Sequence, residues 1–157
     1  MNQEKKYYTP EIEEFHVGFE YESKTKPSND WRPRITNIYR DNIILNDALN
    51  GKCELEVRVK YLDQADIEEL GWQIRKEAEG TNPYLYRLKP QKLIFPHNPE
   101  LHTVYLAQTT SSYKRCLIYL QQDSIIGVEK NMPEILLFNG IIKNKSELKR
   151  LMKQLGI

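Results

Sequence analysis

The sequence predicts an α+β fold: a single, mainly antiparallel β-sheet of hairpins and meanders, covered by short helices and completed by a C-terminal amphipathic helix. Three stretches carry that expectation. Between residues 54 and 61, Leu55, Val57, Val59 and Tyr61 alternate with Glu54, Glu56, Arg58 and Lys60, the period-two pattern of a strand with one dry and one wet face. At residues 138–141, Phe-Asn-Gly-Ile is the strongest local hairpin motif in the chain, because Asn139 and Gly140 accept the positive φ of a type I′ turn. Near the end, Leu148, Leu151, Met152 and Leu155 fall at i, i+3, i+4 and i+7, one apolar stripe along a helix.

The elements follow in order. Thr9 before Pro10 suits an N-cap with proline at the first helical position, so residues 9–14 are expected to form one helical turn. Val17, Phe19 and Tyr21 alternate with His16, Gly18, Glu20 and Glu22, which predicts a strand. Residues 23–30 form a polar loop, and 31–39 an extended segment whose Pro33 confines it to a sheet edge. Residues 42–50 suit a short helix that Gly51 ends. After the strand at 54–61, Asp63 is placed to N-cap a helix running through Ile67 and Leu70, Gly71 to end it, and Trp72 to pack back on its last turn. Strands at 72–78 and 84–88 flank a turn at 79–83 as a hairpin. Pro90, Pro96 and Pro99 make 90–99 a loop; 101–108 and 114–121 read as strands, and Ile125, Ile126 and Val128 as a shorter one. Asn144 with Glu147 resembles a capping box for the helix at 145–155, and Gly156 closes it.

The totals bound the class. The 157 residues are expected to form one globular domain spanning 1–157, with 39% hydrophobic and 29% charged residues, ordinary for a soluble chain. No apolar run approaches the roughly 20 residues that span a bilayer, and MNQEKKYYTP lacks the apolar core of a secretion signal, so a cytoplasmic location is expected. Cys53 and Cys116, far apart, argue against a disulfide framework. Net charge is +1 but uneven: residues 1–79 carry 12 basic and 17 acidic side chains, residues 80–157 carry 11 and 5. Such a chain can pair head to tail with itself or offer its basic half to an anion, unless folding interleaves the two halves.

Three segments, YYTPEIEEFHVGFEYE, VRVKYLDQADIEELGW and LFNGIIKNKSELKRLMKQLGI, resemble a family of short uncharacterised proteins encoded by phages and prophages of Bacteroides-type gut bacteria. The resemblance covers the start, middle and end of the chain. It implies a viral origin, and a working place in the host-cell cytoplasm. It carries no activity, cofactor or catalytic residue.

Chemistry is sparse. His97, Glu100 and His102 lie in HNPELH, which lacks the tight ligand pairs of a zinc site, and Pro99 blocks the helix that would align the imidazoles. His16, beside Glu14 and Glu20, reads as a solvent-facing strand residue. No G-x-S-x-G elbow, P-loop or G-x-G-x-x-G run is present, and Cys116 within RCLIYL reads as a small buried hydrophobe. The pairs Glu13-Glu14 and Glu68-Glu69 are adjacent and face apart, so no catalytic residue, metal or cofactor is expected. The last helix sets Lys145, Lys149, Arg150 and Lys153 against its leucines, a solvated face more than a membrane anchor. Binding has more to offer. Tyr84, Tyr86, Arg87, Lys89, Lys92, Tyr113, Lys114 and Arg115 crowd one region, with Tyr105 and Tyr119 nearby, where rings can stack bases and cations can meet phosphates. Alternate tyrosines serve equally well as core or cross-strand pairs. The reading is therefore a non-catalytic phage accessory or counter-defence factor that binds a protein or itself as a homo-oligomer. A nucleotide- or nucleic-acid-binding sheet is the alternative.

Overall fold

The computed structural model describes residues 6–37, 41–76, 84–88, 102–109, 115–122 and 135–157. Among these the chain is α+β, and every strand pairing is antiparallel. Where one sheet was expected there are two, of four and five strands. Backbone contacts divide the chain into two compact units, Met1–Leu62 with Asn144–Ser146, and Asp63–Lys143 with Glu147–Ile157. The strand-then-helix stretch at 54–72 crosses that division, its strand in the first unit and its helix in the second.

The first unit holds β1 (Tyr7–Tyr8), a 3-10 turn at Ile12–Glu14, β2 (Glu20–Thr25), β3 (Arg32–Ile35), α1 (Asp41–Leu49) and β4 (Leu55–Lys60), with sheet order β1-β4-β2-β3. The alternating strand β4 has a neighbour on each edge, as its pattern requires. Val57 and Val59 face a core with Phe19, Leu45 and Leu62, all buried. Pro33 lies in β3 at the sheet edge, where a missing N–H costs no ladder bond. The strand expected from residue 16 starts only at Glu20. Gly18 adopts φ +84°, and the Phe19 N–H turns back to the His16 carbonyl at 2.9 Å, so the preceding residues form a tight turn with Val17 exposed. His16 is half-buried there, its Nδ1 3.0 Å from the Glu14 carbonyl oxygen. At the end of α1, Gly51 and Lys52 donate to the Ala48 and Asp47 carbonyls, the Schellman closure that its glycine predicts. Asn144 and Ser146 complete this unit: Asn144 Nδ2 donates to the Tyr8 hydroxyl at 2.8 Å, and Ser146 Oγ accepts the Glu20 N–H at 2.9 Å.

The second unit holds α2 (Gln64–Glu69), β5 (Trp72–Lys76), β6 (Tyr84–Leu88), β7 (His102–Gln108), β8 (Arg115–Gln122), β9 (Ile135–Ile141) and the greater part of α3 (Lys145–Leu155). Its strands pair in sequence order, a five-stranded meander. Asp63 caps α2 by accepting the Asp66 N–H at 3.1 Å, and Asp66 returns the bond to the Asp63 N–H. Gly71 turns the chain at φ +96° and Trp72 opens β5, buried, its indole N–H directed at Met152 Sδ of α3. Tyr86, Leu88, Val104, Leu106, Cys116, Ile118 and Leu120 fill the same inner face, each buried, and a buried aliphatic chain of this kind contributes about 1.5–3 kcal/mol. In α3, the Glu147 carboxylate accepts the Lys143 N–H at 2.6 Å, one residue before the expected Asn144.

Asn139-Gly140 makes no turn. Both residues lie inside β9, with Gly140 opposite Cys116 and Asn139 opposite Leu117. The Phe138 ring lies over the glycine: a Cβ there would stand 2.7 Å from its Cζ, so a larger residue requires that ring to move. Asn139 accepts the Arg115 Nε–H at 2.6 Å. The expected loop at 90–99, the short strand at 125–128, and His97 and Glu100 lie outside the described residues.

Candidate functional site

Period two puts alternate residues of the five-stranded sheet on opposite faces. The eight residues proposed from sequence therefore separate. Tyr84 and Tyr86, their rings 6.4 Å apart, point to the inner face with the core. Tyr86 is 1% exposed, and burial pushes its phenol up to about 12, with Tyr84 adding to the effect. It is a core residue and no part of a ligand-facing surface. Arg87 and Arg115 lie on the other face. Lys89, Lys92, Tyr113 and Lys114 lie outside the described residues.

The outer face is organised by one cross-strand row. Gln73 of β5 pairs with Arg87 of β6, Arg87 with Tyr105 of β7, Tyr105 with Tyr119 of β8, and Tyr119 with Leu136 of β9. The row crosses all five strands. At its centre the Tyr105 and Tyr119 rings stack, centroids 5.5 Å apart and planes 19° from parallel. Stacked aromatic pairs of this geometry contribute about 0.5–1.5 kcal/mol beyond the area they bury. Arg87 Nη2 lies 3.4 Å from Thr103 Oγ1, which holds the guanidinium along the sheet beside Tyr105.

The row beside it is mostly aliphatic: Leu85, Ala107 and Leu117 in register, ending at Asn139. Beyond it Arg115 pairs with Ile141. Leu136 and Ile141 are 57% and 55% exposed, while Leu85, Leu117, Tyr105 and Tyr119 are half-buried. The bulge in β9 opposite Ile118 and Tyr119 keeps Leu136 on this face, since a one-residue slip moves a side chain across the sheet. Tyrosine, arginine and leucine thus meet on one half-open surface. Arg115, exposed and held by Asn139, stands at its margin.

The outer face of the first sheet is different. Arg58 reaches Glu22 at 2.6 Å, and its guanidinium carbon sits 3.8 Å from the Tyr7 ring centroid and 4.0 Å from that of Trp31. Lys24 lies over Trp31 at 5.0 Å and pairs with Glu56 at 2.9 Å. The Lys24 hydrogen bond holds the Glu56 carboxyl below its usual range, against a smaller opposing effect of desolvation and with help from Lys26. Arg58 with Glu22, and Lys24 with Glu56, are paired within the unit.

Among the described residues no three His, Cys, Asp or Glu side chains are placed to hold a metal ion, and no helix is long and apolar enough to cross a membrane. Cys116 is buried and Cys53 exposed, and they are not joined in a disulfide. No family model matches the chain, and no curated protein or solved structure matches it.

Proposed function

We propose that this chain is a binding protein that makes contact with another protein, a second copy included, through the outer face of the five-stranded sheet. The Tyr105–Tyr119 stack, in register between Arg87 and Leu136, is the observation that carries this reading. Contact energy concentrates in tyrosine, whose ring brings large amphipathic area at low entropic cost, and in arginine, whose planar guanidinium stacks on rings and forks hydrogen bonds. The accessible neighbours on that face, Leu85, Leu117 and Ile141, are aliphatic, with Ala107 buried between the first two, which suits a protein surface better than a polyanion. The resemblance of three segments to phage-encoded proteins supports the role of an accessory or counter-defence factor in the host-cell cytoplasm.

A nucleotide or nucleic acid is the second reading, favoured by the guanidiniums of Arg87 and Arg115 on the tyrosine face. The experiment that separates them is affinity capture with wild type and with Tyr119→Asp and Leu136→Asp, alongside an oligonucleotide titration. A protein-binding face loses association in both variants and takes up no oligonucleotide. Oligonucleotide binding that falls with salt and with Arg115→Gln would support the second reading instead.

A further inference from the structure

The first unit contains a cavity of about 240 Å³ lined by Ser23, Lys24, Thr25, Ser28, Asp30, Arg32, Arg34 and Leu55. Its walls follow from register. Arg34 stands opposite Tyr21 and Arg32 opposite Ser23, so both guanidiniums leave the edge strand β3 on the same side as Ser23. Thr25 and Leu55, paired across β2 and β4, extend that side. The loop after β2 borders the cavity, which is open to solvent on one side, with Ser28, whose N–H bonds back to the Thr25 carbonyl at 2.8 Å.

The donors outnumber the acceptors. Ser23 Oγ lies 3.4 Å from Arg34 Nε and accepts its N–H, which leaves the hydroxyl proton free to point into the cavity. Ser28 Oγ accepts the Asp30 N–H at 3.0 Å and is likewise left with its proton to give. Of the charged groups, Lys24 is turned away to Glu56 at 2.9 Å, and Asp30 is matched by Arg32 at 3.0 Å. Arg34 has no carboxylate partner among the described residues. One unmatched guanidinium and a set of hydroxyl donors therefore face a space far larger than the ~30 Å³ of a single water.

We infer that this cavity is a binding site for a tetrahedral oxyanion of the phosphate class, a phosphate monoester or the terminal phosphate of a small ligand. A dianion supplies the acceptors that these donors lack, and the planar guanidinium fork of Arg34 matches two of its oxygens. The hydroxyls of Ser23, Thr25 and Ser28 are short and uncharged, so they distinguish a compact tetrahedral group from an extended polyanion, which needs a line of cations. The site is separate from the tyrosine face, and the two stand or fall independently.

Isothermal titration with inorganic phosphate, at ionic strength matched with chloride, tests it. Wild type is expected to give a saturable one-to-one isotherm, and Arg34→Gln to weaken it at least tenfold. Ser23→Ala is expected to weaken it severalfold, and Arg150→Gln, at an exposed position of α3, to leave it unchanged. Arg34 is exposed, so its replacement leaves the core intact, and circular dichroism of the variant checks this. No heat beyond the chloride control, or an isotherm that Arg34→Gln leaves unaltered, overturns the assignment.

Discussion

Across β2 and β4 the outer face of the first sheet is written in charge: Glu22 against Arg58 and Lys24 against Glu56, with Tyr7 and Trp31 on either side of the Arg58 guanidinium. Across β6 to β9 the outer face of the second sheet is written in Tyr105, Tyr119, Leu117 and Leu136. Both sheets are antiparallel, and both carry their buried side chains on the opposite face. The first pairs its charges across β2 and β4 with one another and leaves one large aliphatic chain, Ile35 of its edge strand, 60% exposed. The second leaves stacked rings and aliphatic chains half-open. An ion-paired, ring-flanked surface gains little by further contact, because any partner must first desolvate charges that are already matched. A surface of tyrosine and leucine gains by losing its water. The contrast, more than either face alone, is why the contact surface is proposed for the second unit.

The largest expected effect is on that surface. Tyr119→Asp places a charge near the centre of the row and Leu136→Asp one at its β9 end, and each is expected to cost about 2 kcal/mol of binding, roughly 30-fold in affinity. Surface plasmon resonance against the captured partner reads it, and an unchanged dissociation constant in both variants would remove the face from consideration. Next in size is Arg58→Gln, which strips one guanidinium from two rings and a carboxylate. It is expected to lower unfolding stability by about 1.5 kcal/mol while leaving association alone. Urea melts together with the same binding assay check both halves of that statement. Loss of association on Arg58→Gln would erase the distinction between the faces.

A third effect lies in the core behind the tyrosine row. Tyr86 keeps its proton to about pH 12, whereas an unfolded phenol releases it near the ordinary value of 10.0. Stability from this residue is thus complete below pH 10 and declines as pH rises towards 12. Tyr86→Phe should flatten that alkaline decline relative to wild type, as followed by thermal melts from pH 9 to 12. Parallel curves would contradict the placement of Tyr86. The smallest effect concerns Glu56. Its lowered ionisation means that the Lys24 and Lys26 contacts stabilise the fold above the ordinary carboxylate range and are lost as pH falls through it. Lys24→Gln should remove part of that acid slope, and added salt should imitate the variant.

Much of the fold was legible where one residue type decides one local feature. The alternation in β4, the Asp63 cap, Gly71, Pro33 at an edge and the leucine stripe of α3 each depend on near neighbours, and each stands where the pattern puts it. The division into two sheets was not legible. Glu22 and Arg58 pair across β2 and β4 with α1 lying between them in the chain, and no local pattern announces such a partner. Asn139-Gly140 misled for a related reason. The motif permits a type I′ turn, but pairing with Leu117 and Cys116 on β8, and the Phe138 ring lying against Gly140, hold it extended.

The candidate site shows the same limit. Tyr84, Tyr86, Tyr105 and Tyr119 all alternate, and alternation says that neighbours face apart without saying which face the helices cover. Only register places Tyr86 inside and Tyr105 with Tyr119 outside. Of the residues read from the sequence, Arg87 and Arg115 share the outer face. The sequence pattern chose Tyr84 and Tyr86 over the two rings that meet on the open side.

Capture on immobilised chain, from an extract of the cell that produces it, tests the central claim most directly, because it retains further copies and other proteins alike. Wild type and Arg58→Gln are predicted to hold the same associate, and Tyr119→Asp to hold none. Equal retention by Tyr119→Asp, or nothing held by the wild type, would contradict the account.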